Sequence, residues 1–321
     1  MSRSERGRTE VVWAALVLCS SAAAMAAAPA RARATSSGQA RVIVTVTGAH
    51  HAPPATLHRD DVLVYENGQR RPVISWEPLR SGRSGLDFAI LIDDSLGSSV
   101  GLQFPDIRSF IHSLPAGSRA ALAYGRYGSA VFAAQFTKDR ENVIRALRLP
   151  TGSVSLGSSI YMALDSLIRH WPQDGAPREV LLITSGIDLY RGIEESEPTE
   201  ANLDLMQAMG AAQRHSVTVH TIYGQSAGFE GRNYFLINNG QGSLARLAFE
   251  TGGAAFQDGF QSPVSFAPYL HQLTSLLNHQ FLLTFRLTPS GPPGFQPLRV
   301  TTEVPGANLA APDRVFVSAT H

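Results

Sequence analysis

The stretch FAILIDDSLGSS, Phe88–Ser99, decides how this chain folds. Together with Leu86 and Asp87 before it, LDFAILID is a continuous apolar run of strand length, as expected of a strand buried on both faces. It stops at two adjacent aspartates, Asp93 and Asp94, and a loop of small residues follows. Ligands of an open α/β sheet sit at the carboxyl ends of its strands. Two carboxylates and three serines at such an end pose the question of a metal ion.

Downstream, strand-like and helix-like patterns alternate. FPDIRSFIHSL reads as a helix; RAALAYG and SAVFAAQF read as strands. DRENVIRALRL reads as a helix capped by Asp139, and SSIYMALDSLIRHW as an amphipathic helix with Ile160, Ala163, Leu164 and Leu167 on one face. REVLLITS is a second buried strand. TEANLDLMQAMGAAQRHS reads as a helix with Thr199 as N-cap, and VTVHTIYG as a strand. GSLARLAFETGG reads as a helix ending in a glycine cap, AAFQ as a short strand and SPVSFAPYLHQLTSLLNH as a closing helix. Such alternation implies a doubly wound, mostly parallel sheet with helices on both sides.

The flanks differ. RVIVTVTG alternates and is β-branched, and HAPPATLHR is a proline-rich loop. DVLVYENGQRRPVISWE is two strands joined by Asn67-Gly68, a hairpin signal because both residues tolerate positive φ. RSGRSG at Arg80–Gly85 marks a boundary. The tail QFLLTFRLTP, QPLRVTTEV and DRVFVSA gives three more strands. The expected organisation is therefore residues 41–80 and 279–318 as two parts of one small β-sheet or sandwich domain, with residues 86–278 inserted between them.

Residues 1–34 read as a secretory signal: Arg3, Arg6 and Arg8, then VVWAALVLCSSAAAMAAA, then a small-residue cleavage site at Ala32–Ala34 or Ala26–Ala28. A retained membrane anchor is the alternative. Leu18 is too large for an acylation box before Cys19, the only cysteine. Cleavage leaves an exported chain without a thiol and without a membrane span, which excludes disulfides and cysteine chemistry. Residues 1–34 hold five Arg and two Glu, which leaves 22 basic and 24 acidic residues in the rest. That balance offers no phosphate-neutralising excess, so nucleic acid is not expected as a partner.

Three strand ends carry small polar residues: Asp93–Ser99, the loop TGSVSLGSS that opens a helix at Ser158, and Thr184-Ser185-Gly186. In this order they resemble a von Willebrand factor A domain. The flanking DDVLVYENGQRRPVISW and LLNHQFLLTFRLTP…GFQPLRVTTEV resemble the bacterial, acidobacterial-type VWFA-related family. The resemblance spans nearly all of residues 41–318. It implies a Rossmann-like α/β domain and a non-enzymatic binding protein whose partner is an unknown protein. It also implies a metal-ion-dependent adhesion site built on an Asp-x-Ser-x-Ser loop, a later Thr and an Asp in a TDG-like turn. Asp93 and Ser95 match the first two positions, and Ser158 takes the Thr position. Gly97 stands where the second Ser belongs, and Ser185 where the final Asp belongs. Mg²⁺ or another divalent cation would have Asp93, Ser95 and Ser158 as ligands, with Asp188 as a substitute; Asp94 points away from Asp93 along the strand. One carboxylate where the family has two favours a degenerate site that binds weakly or not at all.

GQSAG at Gly224–Gly228 fits Gly-x-Ser-x-Gly, which would make Ser226 the nucleophile of a secreted hydrolase, with Asp258 and His271 or His279 downstream. The following FEGRNYFLINNGQG reads as a loop, and a nucleophile elbow needs a helix at once. His50, His51 and His58 lie in a proline-rich loop without zinc spacing. No glycine-rich nucleotide motif is present. A purely structural envelope component remains the third reading.

Overall fold

The structure, a computed structural model, describes residues 38–318 except 50, 51, 53, 80–84, 152–158, 190–201, 262 and 288–292. Its elements in chain order begin with β1 (Gln39–Gly48), β2 (Val62–Glu66), β3 (Gln69–Arg71), β4 (Val73–Pro78) and β5 (Asp87–Asp93). Then come α1 (Phe104–Ser113), β6 (Arg119–Arg126), β7 (Ser129–Thr137), α2 (Arg140–Arg145), α3 (Ile160–Arg169) and β8 (Arg178–Thr184). They are followed by α4 (Leu203–Arg214), β9 (Val217–Tyr223), α5 (Tyr234–Glu250), β10 (Ala255–Phe256) and α6 (Ala267–Leu277). β11 (Gln280–Arg286), β12 (Gly294–Thr302), β13 (Ala307–Ala310) and β14 (Arg314–Val317) close the chain.

β5 is the central strand. All seven of its residues are buried, and the side chains alternate between two cores. Phe88, Ile90 and Ile92 join α1 and α6, while Ala89 and Leu91 join α3, α4 and α5. That division explains why its apolar run is unbroken. The sheet order is β10-β9-β8-β5-β6-β7, parallel throughout except for β7, which returns antiparallel on β6. The chain is thus an α/β protein with a doubly wound, mostly parallel sheet. At the amino end of β5 the buried Asp87 accepts Arg119 Nε at 2.7 Å, Arg119 Nη2 at 2.6 Å and Trp171 Nε1 at 3.2 Å.

Strands from the two ends of the chain build two antiparallel sheets, β13-β1-β11-β4 and β14-β12-β2-β3. They share one core: Val42, Val44, Leu283 and Phe285 from the first, Val62, Val64, Val300 and Val315 from the second. Asn67 (φ 49°) and Gly68 (φ 74°) turn β2 into β3 as the hairpin signal predicts. Gln213 on α4 reaches Asp313 Oδ1 at 2.8 Å, so the region before β14 is tied to the helical layer.

Some expectations are corrected. The tail has a fourth strand, β13, paired with β1. α5 starts at Tyr234, ahead of the expected Gly242, because Asn233 Oδ1 caps it by accepting from Phe235 N (2.9 Å) and Leu236 N (3.3 Å). α4 is capped by Asn202, whose Oδ1 accepts from Leu205 N at 2.9 Å; Thr199 lies outside the described residues. Among the described residues, no helix is long and apolar enough to cross a membrane.

Candidate functional site

Parallel register brings the carboxyl ends of β5, β6, β8 and β9 to one end of the sheet: Asp93 lies opposite Gly125, and Ile92 opposite Ile183. Asp93 is buried there inside a hydrogen-bonded group. Its Oδ1 accepts from Ser95 N at 2.9 Å, and its Oδ2 accepts from Thr184 Oγ1 at 2.6 Å. Thr184 Oγ1 in turn accepts from Gly186 N at 3.1 Å. Burial raises the Asp93 pKa against the lowering effect of the Thr184 and Ser95 hydrogen bonds.

Ser185 is buried and accepts from Ile187 N at 3.3 Å, so it supports the turn after β8. Gly186 has φ 70°, and a Cβ on it would stand 2.5 Å from Gly240 O on α5. The turn can approach α5 only with glycine there. Asp188 belongs to a second group, in which its Oδ2 accepts from Ser159 Oγ at 2.8 Å and Asn202 Nδ2 at 3.4 Å. These are the N-cap residues of α3 and α4, so Asp188 joins two helix starts. Tyr161 donates to Gly186 O at 2.7 Å; burial pushes its pKa up, and the nearby Asp188 and Asp93 add to the effect. Ser158 lies outside the described residues.

Asp94 faces the other way, as strand alternation requires. Arg148 holds it through Nη1–Oδ1 at 2.7 Å and Nη2–Oδ2 at 3.2 Å, and Thr151 N adds a bond to Oδ1 at 3.1 Å. Burial alone would raise the Asp94 pKa, but these bonds and the Arg148 charge hold it below the usual carboxylate value.

Gly97 N donates to Gln225 O at 3.2 Å, and Leu96 bridges Ser226 in antiparallel fashion. The loop after β5 is thereby laced to the loop after β9. Beside this seam lies a cleft of about 230 Å³ lined by Leu96, Val100, Leu102, Gln225, Val264 and Phe266. Leu102 and Val264 on its rim are exposed.

Ser226 donates from Oγ to Ser95 O at 3.5 Å and accepts from Gly228 N at 3.4 Å. A short helical turn, Phe229–Arg232, follows, and α5 opens only at Tyr234. This is not the strand-to-helix turn of a nucleophile elbow. His271 lies within α6, and His279, just beyond it, has Nδ1 2.7 Å from Ser275 O. His50 and His51 lie outside the described residues. His58 N donates to Asp61 Oδ2 at 2.8 Å. Among the described residues no group of three or more His, Cys, Asp or Glu side chains is placed to hold a metal.

The sequence pattern therefore located Asp93, Ser95, Gly97 and Ser185 at one end of the sheet. It placed Thr184 at a strand end without giving it a role, and it missed Ser159, Asn202 and Arg148. The hydroxyl of Thr184, one residue before Ser185, was the readable signal; the Arg148 pairing spans 54 residues and left none.

No protein-family model matches the chain, and no curated protein matches it. Among solved structures it is similar to a von Willebrand factor type A protein from Catenulispora acidiphila, at 12% identity over 89% of this chain and 76% of that one, with a TM-score of 0.38. It is also similar to the vWF domain of a type V pili tip protein from Porphyromonas gingivalis, at 14% identity over 61% and 95%, with a TM-score of 0.41. A third is an aerotolerance-related membrane protein from Bacteroides fragilis, at 16% identity over 60% and 99%, with a TM-score of 0.41. The fold of this chain rests on its own strand order and helix placement.

Proposed function

We propose that this chain is a non-enzymatic, exported binding protein that contacts a partner protein through the loops at the carboxyl end of its parallel sheet, without a bound cation. The observation that carries the reading is the closure of Asp93. Each of its oxygens already accepts a protein donor, and Thr184 Oγ1 both donates and accepts. Among the described residues, no second carboxylate joins this hydrogen-bonded group. A hard cation is held by carboxylate charge and open oxygen ligands, and a single carboxylate with both oxygens already hydrogen-bonded is a poor fit for it. Asp188, the substitute ligand, is engaged with two helix caps.

Recognition then rests on shape and side-chain contacts at the exposed end of the sheet. The cleft beside Leu96 and the apolar rim of Leu102 and Val264 support that use. The signal-type residues 1–34 support export, and the setting of Ser226 supports a non-catalytic role.

The test is partner capture from the exported protein fraction of the organism that makes the chain. Leu102→Asp and Val264→Asp are expected to reduce capture. Phe249→Asp, at the exposed far end of α5, and EDTA are expected to leave it intact. Capture lost in EDTA, or indifferent to both substitutions at the carboxyl end, contradicts the reading.

A further inference from the structure

At the same end of the sheet, two arginines converge on one carboxylate. Arg148 and the Thr151 amide already satisfy Asp94. Arg126 stands beside it with Nε 4.0 Å from Asp94 Oδ2, and its side chain donates no hydrogen bond to a described residue. The Asp94 side chain is 3% exposed, whereas those of Arg126 and Arg148 are 45% and 42% exposed. Two cations share a single buried anion, so one net positive charge faces solvent. The Arg148 guanidinium is fixed in place over the Tyr124 ring, 3.8 Å from its centroid.

The adjoining turn is costly for the chain. Tyr127 (φ 50°) and Gly128 (φ 70°) form a two-residue loop between the paired Arg126 and Ser129. Both positions need positive φ, where Asn-Gly serves at little cost and a bulky side chain is an outlier. Tyr127 is nonetheless there, 60% exposed, with the Arg126 guanidinium 5.0 Å from its ring centroid. An arginine that donates to no described residue and an exposed tyrosine are of the residue types that carry most binding energy at protein interfaces. Strain of this kind persists where the side chain has a use.

We infer that the β6–β7 tip, Arg126 and Tyr127 with Arg148 beside them, docks an acidic segment of the partner protein. A partner carboxylate is received by the planar donors of Arg126 and the outer edge of Arg148, and the Tyr127 ring flanks it. The inference rests on the binding-protein reading above and names the chemistry of the partner.

The experiment is a fluorescence-anisotropy titration of a labelled oligo-glutamate peptide with the full chain, with oligo-glutamine as control, at low and near-physiological salt. The glutamate peptide is expected to bind more tightly than the glutamine peptide, and less tightly as salt screens the charge. Arg126→Gln is expected to lower affinity about tenfold, short of a hot spot but more than most interface residues lose on truncation. Tyr127→Asn is expected to lower affinity while raising the melting temperature, which separates docking from folding. No preference for glutamate at low salt, unchanged affinity in Arg126→Gln, or displacement by equimolar inorganic phosphate each overturns the inference. If these fail while partner capture still depends on Leu102 and Val264, only the acidic-segment assignment falls. If capture ignores both of those residues, the binding reading falls with it.

Discussion

Thr184 Oγ1 donates to Asp93 Oδ2 at 2.6 Å, and this bond ties the carboxyl ends of two neighbouring parallel strands. Both residues are buried. A buried carboxylate that loses a donor carries the desolvation cost unrelieved, about 1–3 kcal/mol. Thr184→Val, close in shape, is expected to destabilise the protein by that amount in urea denaturation, with the sheet intact by circular dichroism. An unchanged denaturation midpoint would show that the bond contributes nothing.

Asp94 and Asp93 oppose each other in acid. The native-state pKa of Asp94 is held low, so its contribution to stability is complete above its unfolded value, about 3.9, and is lost as pH falls through the native value. Asp93 has a raised native pKa, so it costs stability as pH rises from its unfolded value to its native one. Arg148→Met is therefore expected to destabilise by about 1–3 kcal/mol at neutral pH. Its difference from the wild type should shrink once Asp94 is protonated in both proteins. Asp93→Asn should remove the opposing slope. Denaturation curves from pH 2 to 7 check both signs.

Tyr127 holds φ 50° in a turn suited to Asn-Gly. Tyr127→Asn is expected to stabilise the protein by about 1 kcal/mol, because strained backbone of this kind costs about 1–3 kcal/mol. A fall in melting temperature would mean that the ring's contact with Arg126 outweighs the strain.

His220 and Glu179 form a buried pair on β9 and β8, with Nε2 and Oε2 2.9 Å apart. Ala254 N donates to His220 Nδ1 at 3.1 Å, which places the imidazole proton on Nε2, facing Glu179. Glu179 Oε1 has no partner within the described structure. Either residue replaced alone by alanine leaves a buried polar group unpaired. Each single substitution should cost about 1–3 kcal/mol, and the double substitution less than their sum. Additive losses would refute the pairing.

The fold was legible where one physical constraint dominated the local sequence. β5 reads as buried because both of its faces meet apolar cores, and Asn67-Gly68 reads as a hairpin because two successive residues need positive φ. Asp139 caps α2 as expected, accepting from Asn142 N at 3.1 Å. The start of α5 was hidden because Asn238, Asn239, Gly240 and Gly242 look like helix breakers. In the fold, Gly240 is the residue that admits the turn at Gly186. β13 is four residues long and depends on β1 for its pairing. The site was half legible. Its strand-end polar residues could be placed, but the partners that close them could not. Arg148 meets Asp94 only through the fold, and Tyr127-Gly128 lacks the residue type that announces its turn.

The central claim is that hydrogen bonds, with no cation, close the end of the sheet at Asp93. The most direct test is a thermal melt of the protein in EDTA, then with Mg²⁺, Ca²⁺ or Mn²⁺ at millimolar concentration. A ligand at 100 times its dissociation constant adds about 2.7 kcal/mol, enough to raise the midpoint by several degrees. The same midpoint is expected in all four conditions. A rise of several degrees with one ion, abolished by Asp93→Asn, would contradict it and restore a metal to the site.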